Sequence, residues 1–374
     1  MFFISNKYNI VYVNRIVKSN VIVFCDFTNI LHSLYRKWTA TRFQKRYTLL
    51  ANLTKEQLMK KSIIITIAIA LVLVTAVSLV ACNAGFNPDK AITVIAREQS
   101  SGTREAFDKV VTDGTHYLNE KDENGKTVYR TTAKANVQSK TGTVLSAVQS
   151  DKQSIGYVSL GSVNDSVKVV KVAGVAPSKQ TVLDGTYKIQ RPFVFMTNSK
   201  TELSARVADF MKYVKSDALE AICDSEDVGT IFLSDGAKRA NAGKDAIEVG
   251  TYEKQSALPD GDKIVVRGST SMEKLINAAA KAYASLYGVN ASDVFDIQLE
   301  GSSVGRKAVE SDNTGNVIGL SSAAVDKDGI DSFNICLDAV AVIVNKDNTS
   351  VEDLTLAELY KIYTGEITKF SQLG

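Results

Sequence analysis

The chain has 374 residues, 45% apolar and 23% charged, which is enough to bury two cores and lacks the compositional bias of disorder. Its formal charge of +3 hides a split. Residues 1–61 hold 11 of the 44 Lys and Arg but only 2 of the 41 Asp and Glu, so the remainder carries 33 basic against 39 acidic residues, net −6. With the basic excess confined ahead of the apolar run that starts at Ile63, a nucleic-acid surface finds no support. The only histidines are His32 and His116, so imidazole-based catalysis would rest on His116 alone, which argues against a hydrolase triad or a histidine metal site.

Taken in chain order, the first legible element is an export signal at 59–81. Met59-Lys60-Lys61 precedes an uncharged apolar stretch that ends Leu79-Val80-Ala81-Cys82, in the order basic region, apolar region and small-residue cleavage site. This pattern resembles the bacterial lipoprotein signal, in which the cysteine after a Leu-x-Ala run is lipidated and the chain is cut before it. Cys82 is then the expected mature N-terminus and lipid anchor. An uncleaved membrane helix is the alternative, since the run approaches the roughly 20 residues that span a bilayer. Residues 1–58 have no place in that scheme and read either as a start codon assigned too early or as a basic cytoplasmic extension. Of the four cysteines, Cys223 and Cys336 remain in the exported part, expected as two buried thiols with a disulfide as the alternative.

Beyond the signal, a buried strand is expected at 92–96 and a helix at 104–111, with Gln99-Ser100-Ser101-Gly102-Thr103 between them. The stretch 241–261, with Gly243, Gly250, Pro259 and Gly261, is the most loop-like interior segment and divides the exported part in two. A second strand at 263–267 runs into Gly268-Ser269-Thr270-Ser271, and Leu275, Ile276, Ala279, Ala282 and Leu286 mark the helix that follows. A third, at 294–299, opens into Gly301-Ser302-Ser303-Val304-Gly305 and another helix. The last helix, 356–364, starts with the capping pattern Thr355-x-x-Glu358 and stops at Gly365. Strands alternating with helices predict α/β lobes with largely parallel sheets.

Each of the three loops turns a strand end into a helix start, where unpaired backbone N–H groups and Ser or Thr hydroxyls can meet an anion. An ordinary N-cap is the competing explanation for any one such loop. Three together, with Arg97 able to offer a bidentate charged contact, favour a cage for a tetrahedral oxyanion. None of the loops is a Walker-type or dinucleotide-binding glycine motif, and no general base lies near them in sequence. No catalytic residue, metal site or cofactor is therefore expected.

Residues 92–107, ITVIAREQSSGTREAF, resemble the phosphate-binding proteins of bacterial ABC importers, whose second lobe carries R-x-x-x-S-G-T after a strand. Gly156-Tyr157-Val158-Ser159-Leu160 and YKIQRPF at 187–193 extend the likeness. Residues 263–374 resemble the first part of the same family in the G-S-T-S opening, the G-S-S-x-G loop, Ile318-Gly319-Leu320-Ser321-Ser322 and Tyr363-Thr364-Gly365-Glu366. The match covers about 91–233 and 262–374.

The resemblance implies a two-lobed periplasmic-binding-protein fold, type II-like, that traps inorganic phosphate between its lobes. It implies a monomer, tethered by lipid on the outer side of the cell membrane, which hands phosphate to an ABC permease. The implied ligand residues are Arg97, Ser101, Gly102 and Thr103 from one lobe and Thr270, Ser271, Ser302 and Ser322 from the other. Two departures matter. Many family members have Asp where this chain has Ser322, and that carboxylate accepts a proton that phosphate carries and sulfate lacks, so another oxyanion is an alternative ligand. The order is also reversed, since the G-S-T-S half precedes the R-x-x-x-S-G-T half in the family. A circular permutation accounts for one copy of each motif; a fragment of a tandem gene is the alternative. Under permutation, 186–344 builds the first lobe, 91–175 with 350–374 builds the second, and 241–261 joins the family's usual ends. A secreted phosphatase and a surface sensor on the same fold are the rival functions.

Overall fold

The computed structural model describes residues 85–225, 230–232 and 250–374. The expected signal, Cys82, the basic extension and residues 241–249 of the expected joint lie outside them. The first elements are β1 (Thr93–Arg97), α1 (Gly102–Asp108), a hairpin of β2 (Asn119–Lys121) and β3 (Thr127–Tyr129), β4 (Asn136–Gln138) and α2 (Thr141–Ser150). They are followed by β5 (Ser154–Ser159), β6 (Val167–Val172), α3 (Lys179–Leu183), β7 (Gln190–Asn198), α4 (Ala205–Val214), α5 (Asp217–Asp224) and β8 (Ile231–Phe232). The remainder comprises β9 (Ile264–Gly268), α6 (Glu273–Leu286), α7 (Ala291–Val294), β10 (Phe295–Leu299), α8 (Ser302–Glu310), β11 (Val317–Ser321), β12 (Ile330–Asn345), β13 (Asp353–Leu354) and α9 (Leu356–Thr364).

The main strand order is β10-β9-β11-β7-β12-β5-β1-β4. The pairs β10–β9, β9–β11, β5–β1 and β1–β4 are parallel, whereas β11–β7, β7–β12 and β12–β5 are antiparallel. Two parallel α/β sheets are thus joined through one long strand. From Ile330 to Ala339, β12 pairs with β7, and from Val340 to Asn345 it pairs with β5 and β6. A strand covered on both faces has no polar side to alternate with, which is why Ile335 to Ile343 is almost unbroken apolar sequence and buried throughout.

Each lobe has its own core. One gathers Phe210, Tyr283, Ile276, Val266, Leu320 and Phe295; the other gathers Phe107, Tyr157, Tyr363, Val340, Leu359 and Phe370. In the first, α6 buries Leu275, Ile276, Ala279, Ala280 and Tyr283 along a single helical face. In the second, Phe107 stacks on Tyr157 at 4.1 Å between centroids and tilts against Tyr363 of α9. The Tyr363 hydroxyl donates to the Ile95 carbonyl (3.2 Å) and the Ile92 amide to the Thr368 carbonyl (2.8 Å), so the C-terminal helix region packs beside the first strand. α9 begins on the Thr355/Glu358 capping box and ends at Gly365 with φ 86°.

Candidate functional site

Five parallel or sheet-terminal strands release their chains toward one place. β1 ends at Arg97, and Ser101 then caps α1, its Oγ accepting from the amides of Thr103 (3.2 Å) and Arg104 (3.4 Å). β9 ends at Gly268, whose φ of 143° and contact with the Leu320 backbone leave no room for a side chain. The chain can therefore turn tightly into Ser269, Thr270 and Ser271. β10 leads into Gly301 and α8, and β11 into Ser321 and Ser322.

The turns meet. Thr103 Oγ1 lies 2.8 Å from Ser271 Oγ, and the Ser269 hydroxyl donates to Ser322 Oγ at 2.8 Å. The Ser322 amide donates to Ser302 Oγ at 3.1 Å, and the two side-chain oxygens are 3.4 Å apart. Gly102 faces the same pair: a Cβ there would stand 2.7 Å from both Ser302 Oγ and Ser322 Oγ. Ser101, Thr103, Ser302 and Ser322 are at most 2% exposed, and Thr270 and Ser271 at most 6%, so the cleft between these loops is closed. Residues far apart in sequence thereby share one enclosed patch of hydroxyls and amides.

A fifth loop, after β4, was not expected from the sequence. β4 feeds Ser139 and Lys140 into α2, and Thr141 sets its amide 3.4 Å and its Oγ1 3.2 Å from Thr270 Oγ1. Its only signal in the sequence is Ser139-Lys140-Thr141-Gly142 itself, because the three-residue strand before it is largely exposed and carries no apolar pattern.

Arg97 is buried at the edge of the patch, but its fork is not free. Nε and Nη2 each donate to Glu98 at 2.9 Å, and also to the carbonyls of Gln138 and Ser139, which leaves Nη1 pointing at Thr141 Oγ1 at 3.5 Å. The bidentate contact expected from the sequence is thus made to a neighbouring carboxylate.

Two further arginines stand behind the loops. Arg104 donates to the Arg97 carbonyl (2.9 Å) and pairs with Asp108 (3.0 Å). Arg191 of β7 reaches the Ser322 carbonyl at 3.4 Å and holds Asp338 of β12 through Nε (3.0 Å) and Nη2 (2.9 Å). Burial pushes the Asp338 carboxyl up and the Arg191 guanidinium down from their ordinary ranges, with mutual attraction opposing both. Burial likewise pushes Asp108 up to about 6. Each of these buried cations is matched by its own carboxylate, so the loops present mainly neutral donors to an anion.

The comparisons with known proteins identify this architecture. A family model described as a PBP superfamily domain matches residues 68–218 and 253–374. The chain belongs to the PBP superfamily. Within it, the phosphate-binding protein PstS 2 of Streptococcus agalactiae serotype V is 33% identical over 288 residues, covering 76% of this chain and 88% of the relative. PstS 2 of Streptococcus pneumoniae serotype 4 is 33% identical over 285 residues, with 75% and 87% covered. The crystal structure of a phosphate ABC transporter phosphate-binding protein from S. pneumoniae TIGR4 aligns with a TM-score of 0.54 at 33% identity, covering 76% of this chain and all of that one. This PBP-superfamily chain is therefore a member of the phosphate-binding protein family to which those relatives belong.

Proposed function

We propose that this protein captures inorganic phosphate between its two lobes outside the cytoplasm and delivers it to an ABC permease, as a binding protein and not an enzyme. The observation that carries this reading is the convergence of Ser101, Gly102 and Thr103 from one lobe on Thr270, Ser271, Ser302 and Ser322 from the other. These groups and Thr141 offer hydroxyls and amides that bind a tetrahedral oxyanion on opening and reclosure of the cleft, with Arg97 Nη1 at its edge. Micromolar affinity requires about −8 kcal/mol, and hydrogen bonds to a charged group contribute roughly 1.5–3 kcal/mol each before association costs, so eight or so donors suffice. Names of the relatives support phosphate as the ligand. Lipid anchoring at Cys82, a monomeric state and the permease partnership belong to the same reading, supported by the lipoprotein signal at 59–81 and the family resemblance.

The permuted order is part of the proposal. Residues 91–175 with 350–374 form the second lobe and 186–344 most of the first, while Tyr187, Ile189 and the end of β12 from Leu337 to Val344 pack into the second lobe's core; 241–261 joins what are usually the termini. The packing of α9 and Thr368 against β1 supports this arrangement, because it lets one chain build the second lobe from both of its ends.

Calorimetric titration with phosphate, sulfate and arsenate tests the function. Micromolar phosphate binding with weak discrimination against sulfate is expected, since Ser322 can donate to an unprotonated oxygen as well as accept from a protonated one. Absence of any oxyanion binding would remove the site; hydrolysis of a phosphomonoester by pure protein would replace it with the phosphatase reading.

A further inference from the structure

The unit Gly85–Gly374 contains two cysteines, and they meet. Cys223 on α5 and Cys336 on β12 are both fully buried, and their sulfurs lie 3.3 Å apart across 113 residues of sequence. Cys336 sits where the β12–β7 ladder shifts register between Asn334 and Cys336, opposite Phe232 of β8. Such an irregularity re-aims the side chain that follows it. A thiol is a weak donor and a weak acceptor, so contact with a second thiol contributes little to stability. Both are buried free thiols in the structure, as the sequence leads one to expect, and both belong to one apolar core; it is their sulfur-to-sulfur placement that points further.

We propose that Cys223 and Cys336 form a disulfide in the exported protein. This rests on the extracytoplasmic location in the reading above, because disulfides persist in oxidising compartments. Two S–H bonds are lost and one S–S bond forms. The two electrons and two protons pass to a disulfide oxidant, R–S–S–R, which leaves as two R–SH by exchange through a mixed disulfide. The sulfurs, 3.3 Å apart, would have to approach to the bond length of about 2.0 Å.

Timing follows from burial. The Cys336 thiol is pushed well above its usual range by its enclosure and by Cys223 beside it, so little thiolate exists in the folded protein. The bond therefore forms while the chain folds, and once enclosed it is shielded from small reductants. The loop it closes contains β9, α6, β10, α8 and β11, and with them Thr270, Ser271, Ser302 and Ser322. It fastens the first lobe to β12 two residues before Asp338, at the crossing between lobes. Constraint of the unfolded chain grows with loop length, so this position is a favourable one.

The test uses the purified full-length chain, refolded with a mixture of oxidised and reduced glutathione, then denatured and alkylated without reductant. A peptide linking Cys223 to Cys336 and lighter by two hydrogens is expected, with alkylation at both positions only after reduction. Full alkylation of both before reduction would overturn the proposal. Cys223→Ser should leave Cys336 alkylated at once, and if that variant fails to fold the wild-type map decides alone. Phosphate titration of the same sample is a separate readout, so loss of phosphate binding would count against the function and not against the bond.

Discussion

Gly102 shows how closely the closed cleft is built. A Cβ at this position would lie 2.7 Å from two hydroxyl oxygens, which can rotate away, but also 2.9 Å from the Ser322 backbone carbon, which cannot. Gly102→Ala should therefore hold the lobes apart, at about 1–3 kcal/mol, or roughly 5- to 150-fold in the Kd for phosphate. The substitution leaves helical geometry available, so thermal stability without ligand should be unchanged; an unaltered Kd would show that Gly102 is not at the closing contact. Asp108, behind the same turn, gives a pH signature. Its Oδ1 has no hydrogen-bond partner among the described residues, and burial raises its pKa from 3.8 to about 6. The folded state then binds more protons than the unfolded state between about pH 4 and 6, so stability falls as pH rises through that window, by about 3 kcal/mol for this group. Asp338, also raised, acts in the same direction, whereas Glu120, lowered to about 2, acts in the opposite direction and at lower pH. Urea unfolding at pH 4.5 and 6.5 should show greater stability at the lower value. Asp108→Asn should flatten the difference, and an unchanged slope in that variant would place the titration elsewhere.

Among the elements, β7 and β12 link the two sheets, and the Arg191–Asp338 pair binds them to each other and to the Ser322 carbonyl. Removing one member of a fully buried ion pair strands the other charge, so Asp338→Ala should cost about 3–5 kcal/mol in urea unfolding. Replacing both, Arg191→Met with Asp338→Leu, should recover most of that loss. Failure of the double variant to exceed the single one would mean that the charges themselves hold the crossing. Elements with an apolar period are legible in the sequence: strands expected at 92–96, 263–267 and 294–299 appear shifted by a residue at most at either end, and the helix at 356–364 as expected. The three loops are legible too, because Gly, Ser and Thr after a buried strand have a local conformational meaning. Thr141 is not, since β4 has no such pattern, and neither is Arg191–Asp338, whose 147-residue separation leaves no trace in spacing. Nor can sequence show that Glu98 occupies the fork of Arg97, because neighbouring charges are common and only side-chain geometry makes them a pair.

For the whole molecule, chain order and spatial order come apart, and that separation can be tested directly. Near the two ends of the folded unit, the Ser371 amide donates to the Pro88 carbonyl at 2.9 Å and the rings of Phe86 and Phe370 are 5.7 Å apart. A short Gly/Ser linker from Gly374 to Gly85 should therefore close without strain. Opening the chain ahead of Gly250 then gives a protein that runs from 250 to 374 and on from 85 to 249, with the G-S-T-S half first. The contacts of both cores, the crossing strands and the loops around Ser302 and Thr103 are the same in either order. What changes is the entropy of closing a few loops, about 0.6 kcal/mol for each doubling of length, which corresponds to less than threefold in an equilibrium constant and a couple of degrees in Tm. The reordered chain should thus bind phosphate within about threefold of its parent and melt within about 5 °C of it. Circular dichroism with calorimetry reads both quantities. If the reordered chain collapses without binding while the parent binds, the lobes depend on the present chain order and the permutation account fails.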